Sequence, residues 1–547
     1  MDEASKRAKV FWFFSSKKNA EKSPSFSAKR SKKLFSVEGG LYWGGVAAWA
    51  GVVAVLLYCA TCYAGFASRA VRFFYGLDYT EGVIWQQAKL MGGKLMYGDI
   101  NTYPFIDFEY PPFYHLLVIL LSHAVGRFLA AGRIVSVAAT LGSACLGGWL
   151  AVRLAGGGAP RSARMVAACV AALTPLTLVP VFVLSVLIHV DMVGVFLSLC
   201  GTALAIAAFN RPKLLYAALL VFVAGVFTKQ TFIAAPLAAL VVWFARDPRQ
   251  TVKAYGAGLG LGLTATLALS WATGGGFLRH ILLYNINRYL FANYVGLLAN
   301  AMRAAGIVIG LTLVAVVLHW AQPARRTALP GLWRRISHSE GHAISALMTL
   351  YLLISAALTL LAGKAGADLN YFLEFLFLCC IWVGALAARQ LTALSAPSAD
   401  PVWQRGVLAL ILPVMLWAQI QPAPANFAGY GESMTGPVVT AEDAALVAAI
   451  RASDRPVLSD DLALLLIAGK VVPIDPFVFA ELGAAGLWRE DALLDMLARQ
   501  EFGAVITTGD PGGIAFEQRF RPRTAAAILR GYPRVIAYGE RRLRLPR

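Results

Sequence analysis

Between Asp78 and His115 the chain reads DYTEGVIWQQAKLMGGKLMYGDINTYPFIDFEYPPFYH, with Asp78, Glu81, Asp99, Asp107 and Glu109 ahead of the pair Pro111–Pro112. A carboxylate within reach of a hydroxyl can take its proton as a nucleophile forms. Asp78 and Glu81 are three apart, near the first turn of a helix expected over Glu81–Met91 and stopped by Gly92–Gly93. The same spacing also suits two acids that merely cap that helix. In Phe108-Glu109-Tyr110-Pro111-Pro112 a carboxylate stands directly before a stiff turn. His115 follows on the next helix, as a polar tip at the interface or a further substrate contact.

Other chemistry-bearing residues lie far along the chain. Asp191, in His189-Val190-Asp191, sits between two apolar runs, where an unpartnered carboxylate costs roughly 3 kcal/mol. Lys229 occupies the tight turn Thr228-Lys229-Gln230, either snorkelling to the interface or offering a point charge to a lipid phosphate. Arg279, Asn285, Asn287 and Arg288 share one loop. Lys364, Asp368, Asn370 and Tyr371 share another, which enters an apolar run containing Glu374; that acid needs a partner, and a nearby cation is the expected one. Carboxylates together with cations suit a site that activates a hydroxyl and holds a phosphate. No stretch has metal-ligand spacing, a phosphate-cradling glycine loop or a nucleophile elbow, so no metal ligand is assigned, although a divalent metal remains compatible with such chemistry.

What must position these residues is a membrane protein. Of 547 residues 58% are hydrophobic and 14% charged, and the mean hydropathy is +0.63. Soluble domains carry roughly 25% charged residues. The net charge of +19 is concentrated at the start, where Lys6, Arg7, Lys9, Lys17, Lys18, Lys22, Lys29, Arg30, Lys32 and Lys33 precede the first apolar run. Beside a span, such a segment marks the cytoplasmic side and touches anionic lipid rather than nucleic acid. All seven cysteines lie in apolar runs, so no disulfide framework is expected.

The apolar run opened by Pro112 is about 14 residues, or ~21 Å of helix, too short for a ~30 Å hydrocarbon core. It is expected to lie in the interface as a helix over Pro112–Val125. With that segment not crossing, the basic loops fall on the cytoplasmic side: Arg153, Arg161 and Arg164; Arg211 and Lys213; Arg246, Arg249 and Lys253; Arg325, Arg326, Arg334 and Arg335; Arg389 and Arg405. About eleven spans follow, at 41–67, 133–154, 165–186, 192–209, 214–227, 231–245, 252–272, 300–320, 343–362, 371–388 and 406–420. The chain divides into a basic disordered cytoplasmic tail (1–40), a transmembrane domain (41–420) with its first periplasmic loop at 68–130, and a periplasmic α/β domain (421–547). In the last, helices are expected near 441–452, 461–468, 490–500 and 523–530, with strands at 456–459, 471–474, 504–508 and within 534–545.

The order Asp78…Glu81-Gly82, Gly93-x-x-Met-Tyr97 and Tyr110-Pro111-Pro112 before an interfacial helix resembles the GT-C superfamily of membrane glycosyltransferases, over about residues 41–390. More narrowly it is similar to the bacterial branch related to protein O-mannosyltransferases and lipid A aminoarabinose transferases. Asp191 before a span and Thr228-Lys229 at a turn fall at similar stations. The resemblance implies a sugar donor on a polyprenyl phosphate, used at the outer face of a bacterial inner membrane with inversion, and a glycan, lipid or protein acceptor. Asp78 matches the family's first-loop aspartate, its general base. Much of the branch has two adjacent acids there, whereas two residues separate Asp78 from Glu81, so both stay candidates. Glu109, Tyr110, His115, Asp191, Lys229, Arg288, Lys364, Asn370 and Tyr371 are the residues expected to hold donor or acceptor. Two other classes stay open: a flippase of a lipid-linked glycan, which would use the same residues as a path, and a scaffold whose C-terminal domain binds a partner while the loops are inert. Acids gathered on one side of the membrane argue against a conduction path.

Overall fold

The computed structural model describes residues 24–285, 287–322, 329–396 and 402–547. The chain begins with α1 (Pro24–Arg72), so the disorder expected over 1–40 does not extend past Pro24; residues 1–23 lie outside the described residues. The first loop holds α2 (Tyr79–Leu90) and α3 (Phe113–Val125), and α4 (Phe128–Ala155) follows. Pro112 opens α3 and Gly126, in the left-handed region, closes it. The span expected at 165–186 is broken. It consists of α5 (Arg161–Leu173), a 3-10 turn (Thr174–Thr177) and α6 (Val179–Ser185), bent by 73°. Pro175 and Pro180 each open a new segment, since neither can donate to a continuous helix.

The bundle continues through α7 (Val190–Ala207), α8 (Leu214–Val226), α9 (Ala234–Arg246), α10 (Pro248–Ala272), α11 (Phe291–Trp320), α12 (Leu329–His338), α13 (Glu340–Leu358), α14 (Leu373–Ser395) and α15 (Val402–Ile420). Among the described residues, eight helices are long and apolar enough to cross a membrane, or nine with the bent pair taken as one span. Ten of the eleven expected spans coincide with helices and the other with the bent pair, but α8 and α9 have 13 residues each, ~20 Å, and are shorter than a bilayer core. Helix also runs past the boundary set at 421, through α16 (Ala423–Thr435) and α17 (Pro437–Ala452).

The C-terminal part contains β1 (Val457–Ser459), α18 (Leu462–Ile467), α19 (Pro476–Ala484), α20 (Asp491–Ala498), β2 (Ala504–Thr508), α21 (Ile514–Arg519), α22 (Pro522–Gly531), β3 (Arg534–Tyr538) and β4 (Arg541–Leu545). The sheet order is β1-β2-β4-β3; β1 and β2 are parallel and the other pairs antiparallel. The strand expected at 471–474 is only an isolated bridge, and its partner is in the first loop: Ile474 pairs with Phe105, and the Phe105 amide donates to the Pro473 carbonyl at 2.8 Å. Helices α19 and α21 were not expected.

The loop and the α/β part share their interior. Val83, Tyr97, Ile106 and Phe108 pack in one apolar cluster with Leu446, Leu465, Ile506 and Leu543. Ile100 and Phe105 pack in another with Leu458, Phe479, Trp488 and Phe516. Burying such aromatic and aliphatic side chains is worth about 1.5–3 kcal/mol each, so the two segments form one body.

Candidate active site

At the start of α2, Asp78 has extended backbone angles and accepts from the Thr80 amide at 3.2 Å and the Thr80 hydroxyl at 2.5 Å. It does cap the helix, as one reading of its spacing held, yet its side chain is exposed and lines a large cavity. Glu81 is placed quite differently. It is fully buried and its oxygens take both arms of Arg133, at 2.9 and 2.6 Å, together with the amides of Leu77 and Ile188. Arg133 spends its other donors on the carbonyls of Ala70, Phe73 and Tyr75. Glu81 is a tie between the first loop and α4. Its lone pairs are filled and it does not line the cavity, unlike Asp78, the other catalytic candidate.

A second cluster joins three loops at the same end of the bundle. Asp191, 2% exposed, accepts from Lys229 Nζ at 2.9 Å and Asn370 Nδ2 at 3.3 Å, and His189 Nδ1 is 2.5 Å away. The ammonium lies 4.5 Å from the Tyr371 ring centre and 5.8 Å from that of Tyr110. Burial works against the charge on Lys229, but Asp191, then Tyr371 and Glu109, outweigh it and raise its pKa. Of the residues expected to hold donor or acceptor, the structure thus brings Asp191, Lys229, Asn370, Tyr371 and Tyr110 together. Lys364 is nearby and half-buried; it donates to the Asn285 carbonyl at 3.0 Å and has no carboxylate within ion-pair distance among the described residues. Its pKa is lowered by burial and then by Lys229, against Glu109.

Two expected contacts are elsewhere. Arg288 is exposed and pairs with Glu481 at 3.1 Å, tying its loop to α19. His115 is buried inside α3, bonded to Gln87 at 2.9 Å, and Gln87 in turn donates to the Asp107 carbonyl. Both position the loop rather than face the cavity. Glu374 is paired to the Tyr351 hydroxyl at 2.7 Å, a neutral partner and not the cation expected.

The cavity, about 680 Å³, is walled by Asp78–Thr80, Glu109–Tyr110, α6, His189–Val190, the 366–370 loop and α16, and on its far side by Asp475–Val478 and Gln518–Arg519. Burial, reinforced by Asp107 and Asp475 and opposed by Lys229 and Lys364, pushes the Glu109 carboxyl up to about 8. The extended segment bearing it is pinned by Asn285 Nδ2, which donates to the Glu109 carbonyl at 2.7 Å, and by His280. Nδ1 of His280 is 2.5 Å from Asp107 Oδ1, and its Nε2 donates to the Gly98 carbonyl. Asp475, Arg519 and His280 are site residues that sequence reasoning missed. The pair Asp475-Pro476 carried a signal, a helix N-cap followed by proline, but nothing local points to the first loop. Among the described residues, no group of three or more His, Cys, Asp or Glu side chains is arranged to hold a metal ion.

Neither a protein-family model nor a curated protein sequence matches the chain. Solved structures do resemble it. ArnT from Cupriavidus metallidurans bound to undecaprenyl phosphate superposes with a TM-score of 0.51 at 14% identity, covering 90% of this chain and 98% of that one. The Archaeoglobus fulgidus oligosaccharyltransferase in its apo form gives 0.49 at 12%, over 84% and 69%. At 14% identity what is shared with ArnT is the fold: a polytopic helical membrane domain with a small sheet-containing C-terminal part.

Proposed function

We propose, with the GT-C fold as premise, that this protein moves a sugar from a polyprenyl-phosphate donor to an acceptor hydroxyl on the non-cytosolic face of the membrane. The observation that carries this reading is the cavity itself, which is lined by the exposed carboxylate of Asp78 and by Asn370 and His189, the two residues that hold Asp191 and with it Lys229 just behind the wall. In the proposed reaction Asp78 accepts the proton of the acceptor hydroxyl as its oxygen bonds to the anomeric carbon. The bond from that carbon to the phosphate oxygen breaks on the opposite face, which inverts the centre. Its electron pair leaves on the polyprenyl phosphate. That leaving group is already an anion and needs cations more than an acid. Lys364, without a carboxylate of its own, is the cation best able to meet it, and Lys229 adds charge from a position locked by Asp191. The undecaprenyl phosphate held by ArnT is the same class of lipid.

Asp78→Asn should lower sugar transfer by roughly 10²–10⁴ while leaving the Kd for undecaprenyl phosphate unchanged, because only the proton acceptor is lost. Lys364→Gln should instead weaken undecaprenyl phosphate binding roughly tenfold or more, the worth of one charge-assisted contact. Transfer and lipid binding measured on the full chain in nanodiscs separate the two effects; full activity of the Asn variant would refute the base.

A further inference from the structure

The wall of the cavity has an order. Lys229 stands over the ring of Tyr110, Glu109 precedes Tyr110, and the Glu109 carboxyl feels the charges of both Lys229 and Asp475. Asp475 in turn takes the hydroxyl of Tyr79, the neighbour of Asp78. Asp475 lines the same cavity as Asp78, Glu109 and Asn370, the space in which the ring of a phosphate-linked sugar would have to lie.

The side chain is fixed at one oxygen and free at the other. Oδ1 accepts from the Tyr79 hydroxyl and from the Val478 amide at 3.2 Å, which caps α19. The Phe477 amide donates to the same Tyr79 oxygen at 3.2 Å, and the Arg519 guanidinium sits 5.1 Å from the Tyr79 ring centre, held by Asp460 at 3.0 Å. Among the described residues Oδ2 has no hydrogen-bond partner, although Asp475 is only 5% exposed. A buried carboxylate oxygen left bare at a cavity wall is a cost unless a ligand donates to it. We propose that Asp475 Oδ2 is a sugar subsite, accepting a hydrogen bond from a hydroxyl of the donor's glycosyl group, so that the C-terminal part reads the sugar while the membrane part holds the lipid phosphate. This rests on the glycosyltransferase reading.

The test uses the full chain in nanodiscs with two kinds of probe: bare undecaprenyl phosphate, and undecaprenyl phosphate carrying a pentose, a hexose or an amino sugar. Asp475→Asn keeps an oxygen for Tyr79 and Val478 but turns the free atom from acceptor to donor. The wild type should bind at least one glycosylated lipid roughly tenfold tighter than the bare one. Asp475→Asn should erase that preference without moving the Kd of the bare lipid. Tyr79→Phe removes a partner of Oδ1, leaves Oδ2 in place and should retain the preference. The inference is overturned if no glycosylated lipid is preferred by the wild type, if Asp475→Asn keeps the preference, or if Tyr79→Phe loses it as well, which would mark a docking contact. A wild type that fails to bind bare undecaprenyl phosphate sinks the glycosyltransferase reading instead.

Discussion

Replacing Glu81 by Gln removes one end of a fully buried ion pair and leaves Arg133 uncompensated, a loss of roughly 3–5 kcal/mol. We expect a large fall in melting temperature, and lipid binding per folded molecule close to the wild type; a stable variant that had lost only transfer would return Glu81 to the chemistry. Asp78, three positions earlier, should show the reverse pattern. Glu109 makes a pH prediction. With its carboxyl at about 8 it is neutral at pH 7, and above 8 it becomes an anion beside Lys229 and Lys364. Affinity for undecaprenyl phosphate should therefore be full below that point and fall as pH rises through it. Lys364, itself lowered, acts in the same direction, and Glu109→Gln separates them by removing the inflection near 8 while leaving the lysine's. At this scale the sequence was half readable. The acids, the lysines and the Asp-x-Thr cap are local signals. That Glu81 would meet Arg133 and Asp475 would meet Tyr79 is decided by packing between distant segments, and no local pattern encodes it.

Gly82 in α2 faces α18 so closely that a Cβ would lie 2.5 Å from the Ala463 amide nitrogen and 2.8 Å from the Leu462 Cβ. Gly82→Ala has backbone to displace, not a flexible side-chain tip, so it should push the two helices apart and loosen the α/β part from the loop. Limited proteolysis should then cut faster between α17 and β1; unchanged cleavage would mean that the contact is slack. Helices of 3.6-residue periodicity were legible, and so was α3 as a short helix, because its proline start and 13-residue length are local facts. The break between α5 and α6 was not read, although Pro175 and Pro180 announced it, since the flanking apolar residues looked continuous. Helix α19 escaped because PFVFAELGA is apolar but for Glu481 and too short to show a stripe. The bridge of Ile474 to Phe105 could not be read as anything but a strand from the local sequence.

For the molecule as a whole, the two ends of the bundle differ in chemistry. At one, Arg153 pairs with Glu340, Arg246 donates to the Ile336 carbonyl at 3.0 Å, and Arg389 caps the Leu318 carbonyl; Arg325 and Arg326 lie outside the described residues. At the other are the cavity and its acids. The positive-inside rule assigns the first to the cytosol. A cysteine introduced as Asn101→Cys, in a background without the native seven, should react with an impermeant maleimide from outside intact cells. Arg249→Cys should react only after permeabilisation, and the opposite pattern would invert the topology. Tyr79 and Asp475 close the chamber from positions 396 residues apart. A ribosome that has threaded all the membrane helices into the bilayer has still not supplied the far wall, so on the proposed function a nascent chain stays idle until Asp475 and Arg519 have emerged and folded against the first loop.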